Sequence, residues 1–347
     1  MKVLVTGGLG FIGSHACVEL AQAGDRLVIV DNLANARLSV LERIRELAPG
    51  ADIDFVRADI RDADALDGIL IRDAIDAVVH FAGLKAVGDS VSTPLAYYDN
   101  NVCGTVTLLH AMARHGVDRL VFSSSATVYG EPVNLPIGED HRLKATNPYG
   151  HTKRMIEQII EDHAAARASF VHATLRYFNP IGAHASGRIG EDPRGVPSNL
   201  VPYVTQVAVG RRPTLRVFGG DYETHDGTGV RDYIHVVDLA CGHLAALRYL
   251  REKNRSITVN LGTGRGYSVL DVVRAFEKVT GRKVPYEIVA RRAGDSAASY
   301  ADNSLAAAEL GWKTKFDIDR MCRDAWRWQS ENPAGYPSDY STSEHPA

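Results

Sequence analysis

Runs of apolar residues alternate with amphipathic segments through the first half of this chain. The runs have the length and continuity of strands that are buried on both faces of a sheet. They predict strands near Lys2–Thr6, Arg26–Val30, Ile53–Arg57, Ala77–Phe81, Arg119–Ser123 and His172–Tyr177. Apolar positions at helical spacing predict helices near Ile12–Ala23, Ser39–Leu47, Ala63–Leu70, Pro94–His115 and Pro148–Ala168. This alternation favours an α/β fold with a doubly wound parallel sheet and right-handed crossovers.

The pattern changes after Asn179. Residues 180–202 are rich in glycine and proline and predict a long loop, which we expect to face a substrate. A smaller α+β region follows, and its strand-like segment Thr258–Leu261 is expected to rejoin the first sheet. Its helices are predicted near Leu200–Val209, Val236–Arg251, Val269–Val279 and Ile318–Gln329. We therefore predict a first domain over residues 1–178, a partly interleaved second domain over 179–337, and a tail over 338–347. No element is predicted after Pro333.

Composition and charge exclude several classes of protein. The chain has 347 residues, of which 45% are hydrophobic and 23% charged, and its formal net charge is −3. This balance suggests neither a nucleic-acid nor a membrane-surface partner. No apolar run has the length of a membrane span, and a first strand at Lys2 leaves no room for a signal peptide. Widely spaced cysteines predict neither disulfides nor a metal site, and fit the cytoplasm. They are Cys17, Cys103, Cys241 and Cys322.

A glycine cluster joins the first strand to the first helix, and an acid ends the second strand. Gly7 and Gly8 suit the positive φ of a tight turn. Gly10 has no side chain to hold a pyrophosphate away, and Gly13 lets the helix lie close to the strand. Asp31 stands where the adenosine ribose is expected, and its charge repels a 2′-phosphate. The segment predicts a Rossmann-type site for NAD rather than NADP; a turn without a ligand is the alternative.

Hydroxyl groups follow the predicted strand Arg119–Ser123, in the segment Ser123–Gly130. Ligands of open α/β sheets bind outside the carboxyl ends of the strands, so these hydroxyls could bond a reacting sugar oxygen. Bonds to the local backbone are the alternative for each serine.

Tyr149 and Lys153 lie four residues apart at the start of a predicted helix, which Asn147 can cap. A phenol has a pKa of about 10, and a nearby ammonium favours the phenolate. The pair alone would be read as a surface tyrosine and a solvated lysine. Because it follows the glycine turn and the serine-bearing strand, we interpret it as an acid–base pair.

Polar residues of the second region suit a nucleoside diphosphate. Arginine side chains can donate two parallel N–H bonds to a diphosphate, and an acid can hold a ribose diol. A surface salt bridge is the alternative for each arginine. The candidates are Asn179, Asn199, Arg231, Arg292 and Asp295.

The motifs together resemble the extended short-chain dehydrogenase/reductase family, and within it the UDP-glucose 4-epimerase family. The resemblance runs to about Pro337, and its most specific segments are Phe81–Lys85 and Gly227–His235. Other matching segments are Gly7–Gly13, Tyr98–Val102, Ser123–Gly130, Tyr149–Lys153, Arg176–Pro180 and Trp326–Gln329.

The resemblance implies a set of binding residues. Besides the glycine cluster, the implied NAD contacts are Phe11, Ile12, Asp31, Asn32, Asp59, Ile60, Phe81, Ala82, Gly83, Leu84, Lys85, Asn100, Ser125, Tyr149, Lys153 and Phe178. The implied UDP-sugar contacts are Asn179, Asn199, Leu200, Arg216, Val217, Phe218, Arg231, Arg292, Asp295 and Ser299.

The resemblance also implies a reaction, the reversible epimerisation of UDP-glucose and UDP-galactose at carbon 4 through a 4-keto sugar. Tyr149, with Ser125 and Lys153, would exchange the proton of the 4-hydroxyl. Ser299 stands where many bacterial relatives have a tyrosine, which implies that N-acetylated UDP-hexoses are accepted too. Alternatives are a nucleotide-sugar 4,6-dehydratase or decarboxylase, a dehydrogenase with net NADH turnover, and a non-catalytic NAD sensor.

A homodimer is implied as well, joined through the predicted helices Pro94–His115 and Pro148–Ala168. Their apolar positions either form that interface or cover the sheet of their own subunit. These positions are Leu108, Leu109, Met112, Ile156, Ile159 and Ile160.

Overall fold

A seven-stranded parallel sheet forms the centre of the protein. The structure is a computed structural model that describes residues 1–292 and 294–337; the predicted tail over 338–347 lies outside them. The strands are β1 (Lys2–Thr6), β2 (Arg26–Asp31), β3 (Ile53–Arg57), β4 (Ala77–His80), β5 (Arg119–Ser123), β6 (Val171–Tyr177), β7 (Asn179–Ile181), β8 (Leu215–Phe218), β9 (Val230–Arg231), β10 (Tyr233–His235), β11 (Ile257–Leu261), β12 (Tyr267–Ser268), β13 (Tyr286–Val289) and β14 (Ala298–Ser299). The central sheet has the order β11-β6-β5-β4-β1-β2-β3.

Helices cover both faces of this sheet. The helices of the described structure, including those of the second region, are α1 (Phe11–Gln22), α2 (Ser39–Leu47), α3 (Ala63–Asp73), α4 (Val87–Ser92), α5 (Pro94–Tyr97), α6 (Gly104–Arg114), α7 (Pro148–Ala166), α8 (Leu200–Ala208), α9 (Val236–Lys253), α10 (Val269–Thr280), α11 (Ser304–Leu310) and α12 (Ile318–Glu331). A π-helical segment, Tyr98–Cys103, joins α5 to α6. No helix in these described ranges is long and apolar enough to cross a membrane.

Alternate residues of the strands supply two apolar layers. Val3 and Val5 of β1 pack with α1 and α9, whereas Leu4 packs on the other face with α3, α6 and α7. Because both faces are covered, the strands read as continuous apolar runs rather than as an alternating pattern. The doubly wound parallel sheet predicted from the sequence is confirmed.

The second region has its own core between α8, α10 and α12. It contains short pairs of strands, β8 with β13 and β9 with β14. The chain also returns to the first sheet, where β11 pairs in parallel with β6. The rejoining of Thr258–Leu261 is therefore confirmed, and α9 packs against α1 on the same side. The short strands and helices α4 and α11 were not predicted, because each holds at most about two periods of a hydrophobic pattern, too few to distinguish it from chance.

One buried ion pair ties the long helix α7 to the sheet. Both carboxylate oxygens of Glu157 on α7 accept hydrogen bonds from the guanidinium of Arg176 on β6, at 2.8 to 3.2 Å. Ser124 donates to the same carboxylate at 2.5 Å. The side chains of Glu157 and Arg176 are 4% and 6% exposed, so their charges depend on each other.

Replacing Glu157 with alanine should be strongly destabilising, because Arg176 would keep a buried charge without its partner. We expect the free energy of unfolding in urea to fall by about 3–5 kcal/mol. Glu42→Ala is the matched control, since Glu42 pairs with Arg45 at the surface of α2 and should cost at most about 1 kcal/mol. Equal losses in the two variants would contradict the importance of the buried pair.

Candidate active site

The glycine cluster forms a cradle of backbone between β1 and α1. Gly7 has a φ of +68°, and a Cβ on it would lie 2.7 Å from the backbone nitrogen of Ala82. A Cβ on Gly13 would overlap the carbonyl oxygen of Gly7. Helix α1 begins directly after Gly10, so its first N–H groups face the cleft beside the cradle. Such a helix end, approached this closely by bare backbone, suits a pyrophosphate.

Asp31 ends β2 at the side of this cradle. One carboxylate oxygen accepts from the backbone N–H of Leu33 at 2.9 Å, and the other from that of Leu9 at 3.2 Å. Burial raises the pKa of Asp31, and these two hydrogen bonds oppose that rise. Each oxygen has a second lone pair, so the carboxylate can still accept from a ribose diol.

A deep cleft runs from Asp31 to Tyr149 along the carboxyl ends of the strands. It is lined by most of the predicted NAD contacts, namely Gly7, Gly10, Phe11, Ile12, Gly13, Asp31, Asn32, Ile60, Phe81, Ala82, Gly83, Leu84, Lys85, Asn100, Tyr149 and Lys153. Asp59 is absent from this lining; it accepts from Asn32 and Arg61, and these hydrogen bonds lower its pKa.

Phe178 is placed differently from its neighbour. Tyr177 lines the cleft, whereas Phe178 is buried against Val128, Tyr129 and Ile137. Successive residues of an extended chain point to opposite sides, which separates the two rings. The predicted contact of Phe178 with NAD stays a prediction, and Tyr177 is the ring that faces the cleft.

Tyr149, Lys153 and Ser125 come together at the inner end of the cleft. Asn147 caps α7 by accepting from the N–H of Gly150 at 2.9 Å, as predicted. The ammonium of Lys153 donates to the carbonyl of Ser123 at 2.8 Å and lies 6.0 Å from the centre of the Tyr149 ring. Ser125 adjoins the end of β5 and is 7% exposed.

Burial pushes both partners towards their neutral forms. It raises the pKa of Tyr149 above its ordinary value, and hydrogen bonding to Ser125 opposes this only in part. It lowers the pKa of Lys153 to about 8, against the attraction of Glu157. Because a nearby positive charge favours a phenolate, Lys153 can help Tyr149 to give up its proton while it is itself charged.

The predicted diphosphate residues of the second region also converge. Arg231 on β9 lies beside Ser299 on β14, and its guanidinium is 3.9 Å from the carboxylate of Asp295. Arg292 donates to Asp295 at 3.1 Å and stacks over the ring of Phe218, 4.7 Å from its centre. The two arginines and the aromatic ring thus share one surface.

The remaining substrate candidates are more scattered. Asn199 precedes α8, which begins at Leu200, and it donates to Glu191 at 2.8 Å. Arg216 lies beside Glu287, with 3.9 Å between their charged atoms. Asn179 begins β7 and is exposed. The side chain of Val217 is buried in the core of the second region, so only its backbone remains for a ligand.

Comparisons with known proteins agree with this geometry. A sequence model described as GDP-mannose 4,6 dehydratase matches residues 4–325 and assigns the chain to that broad family. The UDP-glucose 4-epimerase of Bacillus subtilis is 56% identical over 338 residues, which cover 97% of this chain and 99% of that protein. The chain belongs to the UDP-glucose 4-epimerase family.

Solved structures extend the likeness to three dimensions. A UDP-glucose-4-epimerase from Stenotrophomonas maltophila, with bound NAD and formylated UDP-arabinopyranose, matches with a TM-score of 0.94 at 56% identity, over 96% of this chain and 99% of that chain. A UDP-glucose 4-epimerase from Bifidobacterium longum, in complex with NAD+ and UDP, matches with a TM-score of 0.93 at 49% identity, over 97% and 100%.

Within the epimerase family, the segment after Ser125 bears on the dehydratase alternative. A dehydratase is expected to have an acidic pair directly after the threonine at position 127. Here Val128 and Tyr129 follow, and both are fully buried. The hydroxyl of Tyr129 donates to Asn260 at 2.7 Å, which fixes this segment in the core. Positions 128 and 129 therefore lack the acidic pair that a dehydratase is expected to have there.

Sequence reasoning missed one residue that shapes the cleft. Asn101 lies in the π-helical segment and is 1% exposed. Its amide accepts from the N–H of Leu84 at 2.7 Å and donates to the carbonyl of Leu84 at 3.0 Å. It also donates to Thr152 on α7 at 3.1 Å. Asn101 thus fixes the cleft wall to the helix of Tyr149; its place beside Asn100 in a matched motif was the available signal.

A buried histidine continues this network to the glycine cradle. The imidazole of His80 lies 2.6 Å from the hydroxyl of Thr6 and 3.0 Å from that of Thr105. Thr105 donates to the carbonyl of Asn101 at 2.6 Å, so His80 must donate to Thr105 and accept from Thr6. Burial lowers the pKa of His80 to about 3, so its imidazole is neutral at pH 7. A neutral ring has one nitrogen that donates, here to Thr105, and one that accepts, here from Thr6.

Proposed function

We propose that this protein interconverts UDP-glucose and UDP-galactose at carbon 4 of the sugar, with NAD held as a resident cofactor. The observation that carries the proposal is the meeting of a dinucleotide cleft with a buried Tyr149–Lys153 pair at its inner end. Relatives at 56% identity over nearly the whole chain are UDP-glucose 4-epimerases, and solved relatives hold NAD.

The residues of the cleft fit NAD. Backbone contacts leave no room for a Cβ at Gly7 or Gly13, and this packing places the start of α1 beside the cleft, where its N–H groups can bind a pyrophosphate. Asp31 keeps free lone pairs for the ribose diol, and its charge disfavours the 2′-phosphate of NADP. When bound, NAD supplies the acceptor and donor of hydride for carbon 4.

The protein supplies orientation and proton transfer. We propose that Tyr149, assisted by Ser125 and the charge of Lys153, takes the proton from the 4-hydroxyl and later returns it to the 4-keto sugar. Arg231 and Arg292 bind the diphosphate, and Asp295 binds the uridine ribose. With the nucleotide anchored there, the keto sugar can present its other face, so that the returning hydride inverts the centre.

Tyr149→Phe should lower the turnover of UDP-galactose to UDP-glucose by roughly 10²-fold or more, because a positioned acid–base group contributes that much. The assay omits added cofactor, so activity of the unmutated protein also tests for resident NAD. Retained binding of UDP-galactose, measured by calorimetry, would separate lost chemistry from lost affinity.

Tyr286→Phe is the control, because Tyr286 is an exposed ring on β13. Near-normal epimerisation by Tyr149→Phe would rule out Tyr149 as the base. Accumulation of NADH with UDP-galactose would instead favour a dehydrogenase.

We further propose that the enzyme accepts N-acetylated UDP-hexoses. Ser299 lies on β14 beside Arg231 and leaves more room than an aromatic ring there. The adjacent Tyr300 could have filled this space instead. Its ring packs against Gly266, however, with 3.1 Å between Cδ1 and the position of a Cβ on that glycine. Because neighbouring strand residues point to opposite faces, Tyr300 lies away from the side of Ser299.

Ser299→Tyr should abolish the interconversion of UDP-N-acetylglucosamine and UDP-N-acetylgalactosamine while largely sparing UDP-galactose. An acetamido group overlapping a packed ring costs roughly 1–3 kcal/mol or more. Product ratios by chromatography for both substrate pairs measure the effect, and Ser330→Tyr, at an exposed position on α12, serves as the control. Absence of turnover of either N-acetylated sugar by the unmutated enzyme would contradict the proposal.

We also propose a homodimer and a cytoplasmic location. Most of the apolar positions named for the interface cover the sheet of their own subunit: Leu108, Leu109, Met112, Ile156 and Ile160 are buried in its second layer, and Ile159 is partly buried against it. The same group of helices nevertheless presents Leu95, Val91 and Met155, which are 81%, 65% and 49% exposed. Neighbouring exposed apolar side chains are typical of a subunit interface, here with a second copy.

Leu95→Glu should convert the dimer to a monomer, because a charge would be buried between the two copies. Light scattering at micromolar concentration measures the mass. Ile71→Glu on α3 is the matched control, since Ile71 is 68% exposed and lies on another helix. A monomeric mass for the unmutated protein would overturn the proposed dimer.

A further inference from the structure

A short segment of the loop before α8 lies along the cofactor cleft. Residues Gly190–Arg194, called the strap below, line the cleft together with the glycine cradle and Asp31. From the sequence, this loop is expected to face the substrate. The structure places part of it along the cleft predicted to bind NAD. It shows that the cleft is bounded by residues from both halves of the chain.

The strap bonds to two separate parts of the cleft wall. Near the inner end, the ammonium of Lys85 lies 2.9 Å from the carboxylate of Glu191. Desolvation would lower the pKa of Lys85, but the charge of Glu191, its hydrogen bond to the ammonium and the nearby Tyr177 together outweigh this and raise that pKa. At the outer end, Arg194 donates to the carbonyls of Leu33 and Ala36 at 3.2 and 2.9 Å. The strap therefore spans the rim of the cleft between these points.

Tyr336 bonds to the first residue of the strap and to its middle residue. Its hydroxyl accepts from the N–H of Gly190 at 2.9 Å and donates to the carbonyl of Gly190 at 3.1 Å. Its backbone N–H donates to the carboxylate of Asp192 at 2.9 Å. Asp192 in turn lies 3.3 Å from the guanidinium of Arg37, beside Asp31 in the cleft. The two most buried contacts of the strap are thus made by the C-terminal segment.

Close packing fixes Tyr336 in this position. A Cβ on Gly190 would overlap the ring of Trp328, and a Cβ on Gly335 would overlap the carboxylate of Asp192. The Tyr336 and Trp328 rings lie 4.4 Å apart between centres, and the Arg43 guanidinium lies 4.9 Å from the centre of the Tyr336 ring. Tyr336 is 8% exposed, so its hydroxyl bonds to Gly190 are shielded from water.

We propose that Tyr336 clasps the strap over bound NAD, so that the C-terminal segment sets the rate at which the cofactor leaves. The inference rests on the proposed function, in which NAD is regenerated in every cycle and has no need to dissociate. A dinucleotide lying between the cradle and the strap can leave only after the strap lifts. Lifting it breaks the Tyr336–Gly190 and Asp192–Tyr336 bonds.

The test measures release of NAD from the purified holoenzyme. The protein is diluted into alcohol dehydrogenase and ethanol, which convert released NAD to NADH, and its fluorescence is followed over time. Tyr336→Phe removes only the hydroxyl and should speed release roughly tenfold, as expected for two lost hydrogen bonds. Asp192→Asn, which keeps the shape of the side chain, should also speed release.

Tyr249→Phe is the matched control. Tyr249 is also buried, and its hydroxyl likewise makes two hydrogen bonds: it accepts from Arg255 and donates to Glu309. It is absent from the cleft lining. Its release rate should equal that of the unmutated protein, and thermal unfolding of the two tyrosine variants should be similar.

Each result has a defined meaning. Release from Tyr336→Phe at the unmutated rate overturns the clasp, as does equal acceleration in Tyr249→Phe, which would indicate general loosening. If the unmutated protein carries no NAD and binds none, the proposed function itself fails. A clasp that fails while the unmutated protein retains NAD leaves the proposed function standing.

Discussion

The near contact of bare backbone at the glycine cradle is the constraint on which the rest of this structure depends. Helix α1 meets the end of β1 so closely that a side chain at Gly13 would overlap the carbonyl of Gly7. Only this approach turns the first N–H groups of α1 towards the cleft while leaving space for a phosphate. Strand β2 pairs with β1 along its length and ends at the same edge of the sheet, which brings Asp31 next to the cradle.

A network of buried hydrogen bonds connects the glycine cradle to α7, the helix that contains Tyr149. Thr6 at the cradle bonds His80, and the chain of bonds continues through Thr105 to Asn101. Asn101 then holds Leu84 in the cleft wall and Thr152 on α7. Because buried polar groups are costly when left without partners, this network permits few alternative arrangements. The distance between the nucleotide cradle and Tyr149 is thereby fixed by directed bonds rather than by apolar packing alone.

Sequence reasoning succeeded where function depends on local spacing. The glycine cluster, Asp31 and the Tyr149–Lys153 pair each lie within one turn or one helix, so their spacing along the chain reports their geometry. It failed where distant segments meet. The segment after Pro333 was predicted to have no element, yet it places Tyr336 in the cleft lining. Nothing in a short polar segment reveals that it will be buried by a loop almost 150 residues earlier.

The return of the chain to the first sheet has a consequence for how the protein forms. Strand β6 has β5 on one side, but its other neighbour, β11, is separated from it by much of the second region. On the ribosome the sheet stays incomplete, with the polar edge of β6 exposed, until Leu261 has emerged. The part of the chain from β7 to α9 is thus enclosed as a long loop between two adjacent strands, and such a non-local pairing slows folding. Helices α10 and α12, which form the second core together with α8, follow β11 along the chain, so neither part of the protein is completed by one continuous segment.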